Sequence, residues 1–345
     1  MTNKKVAIIG ASGFTGSELV RILHYHPNVD IEMITSESHT DKKLSNIHPF
    51  FYVIVDTKLE SVYDLHKHHI DLAFLALPHG VSMDYVKQFQ KFDFPIIDLS
   101  GDFRLSNAET YQKWYAQEHI FPEGFAHAVY GIPELFEDTI RSSKLIANPG
   151  CFPTSIILAL APLMKNNLVD INIIADSKTG VTGAGVKAKA VNHFSNVHDN
   201  FKAYGIKTHR HTIEIQEKLN EMSRYENKVQ FTPHLLPVDR GILSTIYLKP
   251  SNSGFNNNIL QKTYSDFYSD SYFIRLLDSS PSIKNVRGTN YCDIFTTYDE
   301  RTNNIIVVSA IDNLVRGAAG QAVQNMNIIF NYDQHCGLEQ MPLFP

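Results

Sequence analysis

The sequence predicts an α/β fold in which a domain built on a parallel sheet precedes a second, α+β domain. Three observations predict it. Across the first third of the chain, short β-branched runs alternate with amphipathic stretches, the pattern of βαβ units. From Asp170 onward the apolar runs read as longer strands joined by turns. The length of 345 residues exceeds one average domain, and a hydrophobic fraction of 43% is ample for two cores.

The elements follow in order. "KVAIIGA" is the first strand, and "GSELVRILHYH" the first helix. There Leu19 and Leu23 lie four apart, flanked by Val20 and Ile22, so one face is apolar. "VDIEMITS", "IDLAFLALP" and "FPIIDLS" read as further strands, with "VSMDYVKQFQKF" as a helix between them. "NPGCFPTS" turns into the helical run "PTSIILALAPLM". The strands of the second domain are "INIIADSKTGV", "KVQFTPHLLPV", "GILSTIYLKP" and "NIIVVSAID", with "KPSNSGFNNN" a polar turn or loop. The tail "NLVRGAAGQAVQNMNIIF" returns to a helical pattern. Gly317, Ala318, Ala319 and Gly320 are small enough there for close docking on the first domain. The expected division is 1–150, completed by a C-terminal helix over 313–345, around an α+β domain at 151–312.

Bulk properties exclude several classes. A net charge of -5 leaves no basic field for nucleic acid. Three distant cysteines, Cys151, Cys292 and Cys336, form no disulfide framework and favour a reducing, cytoplasmic setting. The apolar run after the basic N-terminus stops at a glycine too early for a signal peptide. "IILALAPLM" is about half a membrane span and contains Pro162, so no membrane segment is expected.

The chemistry gathers in a few constellations. Gly10, Gly13 and Gly16 form G-x-x-G-x-x-G between the first strand and helix, where backbone N–H groups can hold a pyrophosphate. The alternative reading is a tight strand-to-helix connection. At the end of the next strand, Thr35, Ser36 and Ser38 suit a 2′-phosphate, and hence NADP, although Glu37 stands among them. Cys151 follows Pro149-Gly150 at a helix start, where the dipole favours the thiolate. A thiolate there is a nucleophile, and a thioester is a good acyl carrier. A buried structural cysteine is the bland alternative. In "HRHTIE", Glu214 lies three residues from His211, so a carboxylate can face an imidazole that acts as general acid/base. No third ligand at a recognisable spacing makes this a zinc site, and no metal is expected. "TGVTGAGVK" resembles a phosphate loop, but Val186 stands where a Walker lysine belongs. Its glycines can still hold an anion or nicotinamide, or serve as a flexible connection. Arg104 and Arg240 are candidate anion binders or surface ion-pair partners.

Together "GASGFTGSEL", "GDFRL", "YGIPEL", "NPGCFPTS", "TGVTGAG", "HRHTIEI", "HLLPVDRGIL" and "LVRGAAGQAVQNMN" resemble the N-acetyl-gamma-glutamyl-phosphate reductase family, in that family's order over nearly the whole chain. The resemblance implies a Rossmann domain and an α+β catalytic domain of the glyceraldehyde-3-phosphate dehydrogenase type. It also implies NADP(H) and a homodimer or homotetramer. The implied activity is reduction of N-acetylglutamyl 5-phosphate to the 5-semialdehyde with release of phosphate. Carried onto this chain, Cys151 is the nucleophile, His211 the acid/base and Glu214 its orienting carboxylate. Gly10, Ser12, Gly13, Phe14, Thr15, Gly16, Ser36, Gly183, Gly185 and Asn313 fall to the cofactor. Arg104, Asn148, His209 and Arg240 fall to the substrate. Two departures stand out: Ile213 replaces a proline common in the family, and "SESHTDKKLS" lacks its small-plus-glycine pattern. Two rival functions are aspartate-semialdehyde dehydrogenase, with the same chemistry on a shorter substrate, and a non-catalytic NADP-binding redox sensor.

Overall fold

The protein is described from a computed structural model covering residues 2–344. Met1 and Pro345, where the expected domain ranges begin and end, lie outside the described residues. The chain divides into two compact units: Met1–Pro149 with Ala318–Glu339, and Gly150–Gly317 with Gln340–Pro345.

The first unit holds six strands: β1 (Lys4–Ile9), β2 (Val29–Thr35), β3 (Leu72–Leu75), β4 (Ile96–Asp98), β5 (Ala128–Tyr130) and β6 (Leu145–Ala147). All pair in parallel, in the order β2-β1-β3-β4-β6-β5. A parallel sheet covered on both faces needs apolar residues at successive positions, and every residue of β3 and β4 is buried. From β1 the chain goes to β2 on one side and then to β3 on the other. The strand order therefore reverses beside β1, and the crevice at the carboxyl ends of β1 and β3 is where such sheets bind ligands.

The helices of this unit are short, and their ends follow capping chemistry. Helix Ala108–Tyr115 begins after Asn107, whose side chain accepts the Thr110 N–H, and Pro133 opens helix Pro133–Ser142. The expected C-terminal helix over 313–345 is corrected to Gly320–Ile329, preceded by a π-turn at Val315–Ala319. It stops because Asn331 adopts the left-handed conformation and the chain then turns at Gly337, also left-handed.

The second unit is a seven-stranded mixed sheet: β7 (Asn172–Thr179), β8 (Lys202–Ala203), β9 (Lys228–Leu235), β10 (Ile242–Leu248), β11 (Ile274–Leu277), β12 (Cys292–Asp299) and β13 (Asn304–Ile311). Its order is β11-β12-β13-β10-β7-β9-β8. Alternate residues of β7, β9 and β10 are buried, as expected where one face carries the core. That face packs against helix Cys151–Lys165, with helices His211–Glu221 and Asn257–Phe267 beside it.

Helix Cys151–Lys165 contains two prolines. Pro153 lies in the first turn, where its missing N–H costs nothing. Pro162 is interior and deprives the Leu158 carbonyl of its normal donor. The Tyr268 hydroxyl donates to that carbonyl instead, and the Tyr264 hydroxyl donates to Ala159 at 2.5 Å. The proline is thus accommodated by a neighbouring helix. Among the described residues no helix is long and apolar enough to cross a membrane.

Candidate active site

In the first unit the strand β1 runs into the three glycines, and each meets a different environment. Gly10 has φ +96°, and a Cβ there would lie 2.5 Å from the Ala76 carbonyl oxygen, so only glycine fits. A Cβ on Gly16 would collide with the Gly10 carbonyl and Ala11, so this glycine lets helix Phe14–Leu23 pack closely on the turn. Gly13 differs: its φ is -83°, and a Cβ would meet nothing nearer than the Gly10 oxygen at 3.8 Å. The space over Gly13, at the N-cap of a ten-residue helix, is open to a ligand. Helix N–H groups beyond the N-cap suit an anion, so the residues present fit a dinucleotide pyrophosphate. Phe14 and Thr15 form the first turn of that helix.

The end of β2 joins this loop. Gly10 N–H and Ala11 N–H donate to the Thr35 carbonyl, and the Ser12 and Ser36 hydroxyls lie 2.8 Å apart. Ser38 continues the row at 3.4 Å from Ser36. Glu37 turns away: its carboxylate accepts the Val62 N–H at 2.9 Å and the Ser61 hydroxyl. Sequence reasoning passed over His48, whose Nε2 donates to the Ser12 carbonyl at 3.0 Å and so braces the loop from a segment 36 residues away.

Arg104 and Asn148 also lie in this unit, both buried. Arg104 sits in the turn region beyond β4. Its Nε donates to the Asn148 carbonyl and its Nη2 to the Leu99 carbonyl, each at 2.7 Å. Asn148 N–H donates to Asp98, its Nδ2 to Ala318, and its Oδ1 accepts from Asn325. Both residues therefore grip the backbone that leads, three residues on, to Cys151.

Cys151 is the first residue of its helix, in the second unit, and is partly exposed. The residue before it is held at both its N–H and its carbonyl. Gly150 N–H donates to Glu214 Oε1 at 2.9 Å, and the Gly150 carbonyl accepts from Thr154 N and Thr154 Oγ1 at 2.9 and 3.0 Å. Glu214 is fully buried, so this bond is shielded from water. The His211 ring lies over Gly150: a Cβ there would be 2.5 Å from His211 Nε2. From the other side Gly317 backs the cysteine, since a Cβ on Gly317 would lie 2.7 Å from Cys151 Cβ. Gly317 thus serves the second unit, whereas Ala318, Ala319 and Gly320 belong with the C-terminal helix to the first, the docking expected of the tail. Ile213, in place of proline, still leaves His211 and Glu214 on the first turn of helix His211–Glu221.

His209 stands beside this group. Its ring centroid is 4.8 Å from that of His211, and both rings meet Phe152 edge-on. Its Nδ1 accepts the His211 N–H at 3.2 Å, which leaves the proton of a neutral ring on Nε2. Burial, with Arg210 adjacent, pushes its pKa down to about 4, so it is neutral at pH 7. Burial and the nearby Cys151 push the Tyr204 phenol well above its ordinary value.

The glycines of "TGVTGAG" form a 3₁₀ turn at Val181–Ala184. Gly180 is required by the Asp239 carbonyl, 2.6 Å from where its Cβ would be, whereas Gly183 and Gly185 face open space. Asn313 ties this loop to the next: its Oδ1 accepts the Gly241 N–H at 2.8 Å, and its Nδ2 donates to Thr182 Oγ1 at 2.9 Å. Arg240 Nη1 lies 3.6 Å from the buried carboxylate of Asp312. Among the described residues no cluster of three or more metal-ligating side chains occurs.

The class of the chain is that of the semialdehyde dehydrogenases, shown by two family profiles. The family profile "Semialdehyde dehydrogenase, NAD binding domain" matches residues 5–143, and "Semialdehyde dehydrogenase, dimerisation domain" matches 151–313. Aspartate semialdehyde dehydrogenase II of Vibrio cholerae, in complex with ASA, superposes with a TM-score of 0.74, over 96% of this chain and 99% of that one, at 16% identity. The Candida albicans aspartate semialdehyde dehydrogenase with NADP gives 0.71, over 95% and 99%, at 16%. These likenesses establish the fold. Closer in sequence are the N-acetyl-gamma-glutamyl-phosphate reductases of Caldicellulosiruptor saccharolyticus, 50% identical over 97% of both chains, and Halothermothrix orenii, 46% over 99% of both. The chain belongs to the N-acetyl-gamma-glutamyl-phosphate reductase family.

Proposed function

We propose that the protein reduces N-acetyl-L-glutamyl 5-phosphate to N-acetyl-L-glutamate 5-semialdehyde and phosphate, with NADPH, as a step of arginine biosynthesis in the cytoplasm. One observation carries the mechanism: Cys151 opens a fifteen-residue helix whose preceding peptide is fixed by Glu214 while the His211 ring lies over it. The helix N-terminus stabilises a Cys151 thiolate. That thiolate attacks the acyl carbon, the C–O bond to phosphate breaks, and a thioester forms on Cys151. In the first unit Gly13 would admit the pyrophosphate of NADPH, and in the second the Gly183–Gly185 loop would admit a ligand group; the cofactor, when bound, would supply the hydride for the thioester carbonyl. N–H groups at the start of the Cys151 helix stabilise the oxyanion. His211 protonates the hemithioacetal oxygen that hydride addition leaves and takes that proton back as the C–S bond breaks to aldehyde and Cys151 thiolate, a contribution typically of about 10²–10⁴-fold. Neutral His209, with Arg240, binds the substrate's polar groups. Ser12, Ser36 and Ser38 would receive the 2′-phosphate, and the Glu37 carboxylate leaves room for it by accepting the Val62 N–H.

The protein works as a homo-oligomer. The outer face of the seven-stranded sheet presents Ile174 and Tyr247 to solvent, and covering them by a second copy stabilises both.

The test is the reaction in reverse. Purified protein, NADP⁺, phosphate and N-acetylglutamate 5-semialdehyde should give phosphate-dependent nicotinamide reduction, with aspartate semialdehyde giving none. Turnover of aspartate semialdehyde instead would move the substrate and keep the chemistry. Silence with both, from protein that binds NADPH, would leave only a sensor.

A further inference from the structure

The centre of the seven-stranded sheet holds a polar stripe that the mechanism above does not use. Ser177 on β7, Ser244 on β10 and Ser309 on β13 are register partners across three neighbouring strands. Above and below them on the same face stand Ile242, Ile246, Val307, Ile311 and Ala175, all fully buried. The three serines are fully buried too, as is Ser155, which descends on them from the Cys151 helix. Ser177 Oγ donates to Ser244 Oγ at 2.8 Å, and Ser155 Oγ donates to Ser244 Oγ at 2.9 Å. The Ser155 and Ser309 hydroxyls lie 2.7 Å apart, and Ser309 Oγ also donates to the Ser155 carbonyl at 3.0 Å.

An apolar helix–sheet contact tolerates small slides and rotations, because dispersion is non-directional. Hydrogen bonds are not, and a buried hydroxyl that loses its partner is penalised. Ser155 lies four residues after Cys151, so the two project from nearly the same side of the helix, one turn apart. Whatever fixes the height and rotation of Ser155 on the sheet fixes them for the first turn.

We propose that Ser155, Ser244 and Ser309 are positioning residues for the nucleophile: the hydroxyl chain locks the Cys151 helix to one register on the sheet and so places the Cys151 thiol against His211. The inference rests on reading Cys151 as the nucleophile. Ser155→Ala should lower kcat by about 10- to 100-fold, the scale of a misplacement of up to 1 Å, with KM little changed. The rate of Cys151 alkylation by iodoacetamide, followed against pH, should shift with it. Tyr268→Phe is the control, because it loosens the same helix at Leu158, two turns after Cys151 and outside the hydroxyl chain, and should leave kcat alone. Should Ser155→Ala fail to fold, Ser309→Ala, which leaves the helix sequence intact, is read in the same way. Wild-type kcat and an unmoved alkylation profile in the folded serine variant would overturn the inference, and so would an equal loss of kcat in Tyr268→Phe. Turnover by Cys151→Ser would instead overturn the nucleophile reading itself, so the two failures are distinct.

Discussion

Replacing Gly150 by alanine tests the active-site geometry with a single methyl group. The backbone at Gly150 has φ -68° and ψ 155°, which alanine adopts without strain. Nor does the change remove the N–H that Glu214 holds. The added Cβ would, however, lie 2.5 Å from His211 Nε2, 2.8 Å from Cε1 and 3.0 Å from Cδ2, where ordinary contact begins at 3.4 Å. The imidazole must retreat by about 1 Å, a misplacement worth about 10²-fold in rate. Loss of all acid–base help would reach about 10²–10⁴-fold. The expected result is therefore a fall in kcat of about 10²-fold with KM for NADPH unchanged. Stability should hold, because the restricted unfolded chain gains about 0.4–1 kcal/mol, which opposes the crowding. Steady-state kinetics and thermal unfolding on one preparation decide it. A folded Gly150→Ala enzyme with wild-type kcat would refute both the ring's placement over Gly150 and its part in the reaction.

Three further outcomes are expected. Gly13→Ala should fold normally, since its Cβ has room within the chain, yet crowd a bound dinucleotide. Overpacking of about 1–3 kcal/mol corresponds to NADPH binding weaker by roughly 5- to 150-fold, and an unchanged Kd by fluorescence titration would remove Gly13 from the cofactor site. Tyr268→Phe leaves the Leu158 carbonyl without the donor that Pro162 cannot supply, so urea unfolding should show a loss of about 1–3 kcal/mol; no loss would mean water replaces the phenol. His209, whose pKa falls from 6.5 unfolded to about 4 folded, binds its proton only in the unfolded chain between those values. Stability should therefore drop as pH falls from 6.5 to 4, more steeply than in His209→Gln. Parallel slopes for the two proteins would show that His209 is not held neutral.

The nucleotide-binding unit was legible because its signals are local. Glycine spacing, a β-branched strand and an amphipathic helix are neighbours in sequence, and parallel strands buried on both faces read as plain apolar runs. Helix Asn257–Phe267 was not legible: its sequence NNILQKTYSDF is mostly polar, and its contact with the Cys151 helix works through the hydroxyls of Tyr264 and of Tyr268, the residue that follows it. The C-terminal helix was read too long because the periodicity of "NLVRGAAGQAVQNMNIIF" does not reveal a π-turn, which here follows from Gly317 N–H donating to the Asp312 carbonyl. At the candidate site, residue types were legible and partners were not. The i, i+3 spacing of His211 and Glu214 pointed to each other, but the bond from Gly150 N–H to Glu214 spans 64 residues of sequence. Arg104 looked like an anion binder because arginine commonly is one, and its two carbonyl acceptors emerge only when the chain is folded.

The glycines carry this distinction furthest. At Gly10, Gly16, Gly150, Gly180 and Gly317 a Cβ would strike the protein's own atoms, so the fold explains the residue. At Gly13 and Gly183 the backbone does not require glycine and a Cβ would meet nothing of the chain closer than 3.8 Å. A glycine in such a place costs unfolded-state entropy that alanine would not. On the proposed function a cofactor group claims that space, and both positions lie on loops with backbone N–H groups to offer it. Gly13 opens the helix beside the Ser12–Ser36 hydroxyls, and Gly183 lies on the loop fastened by Asn313. Taken each within its own unit, the two positions are where the proposed cofactor reading is most open to test, since an alanine side chain there would crowd a ligand and not the protein.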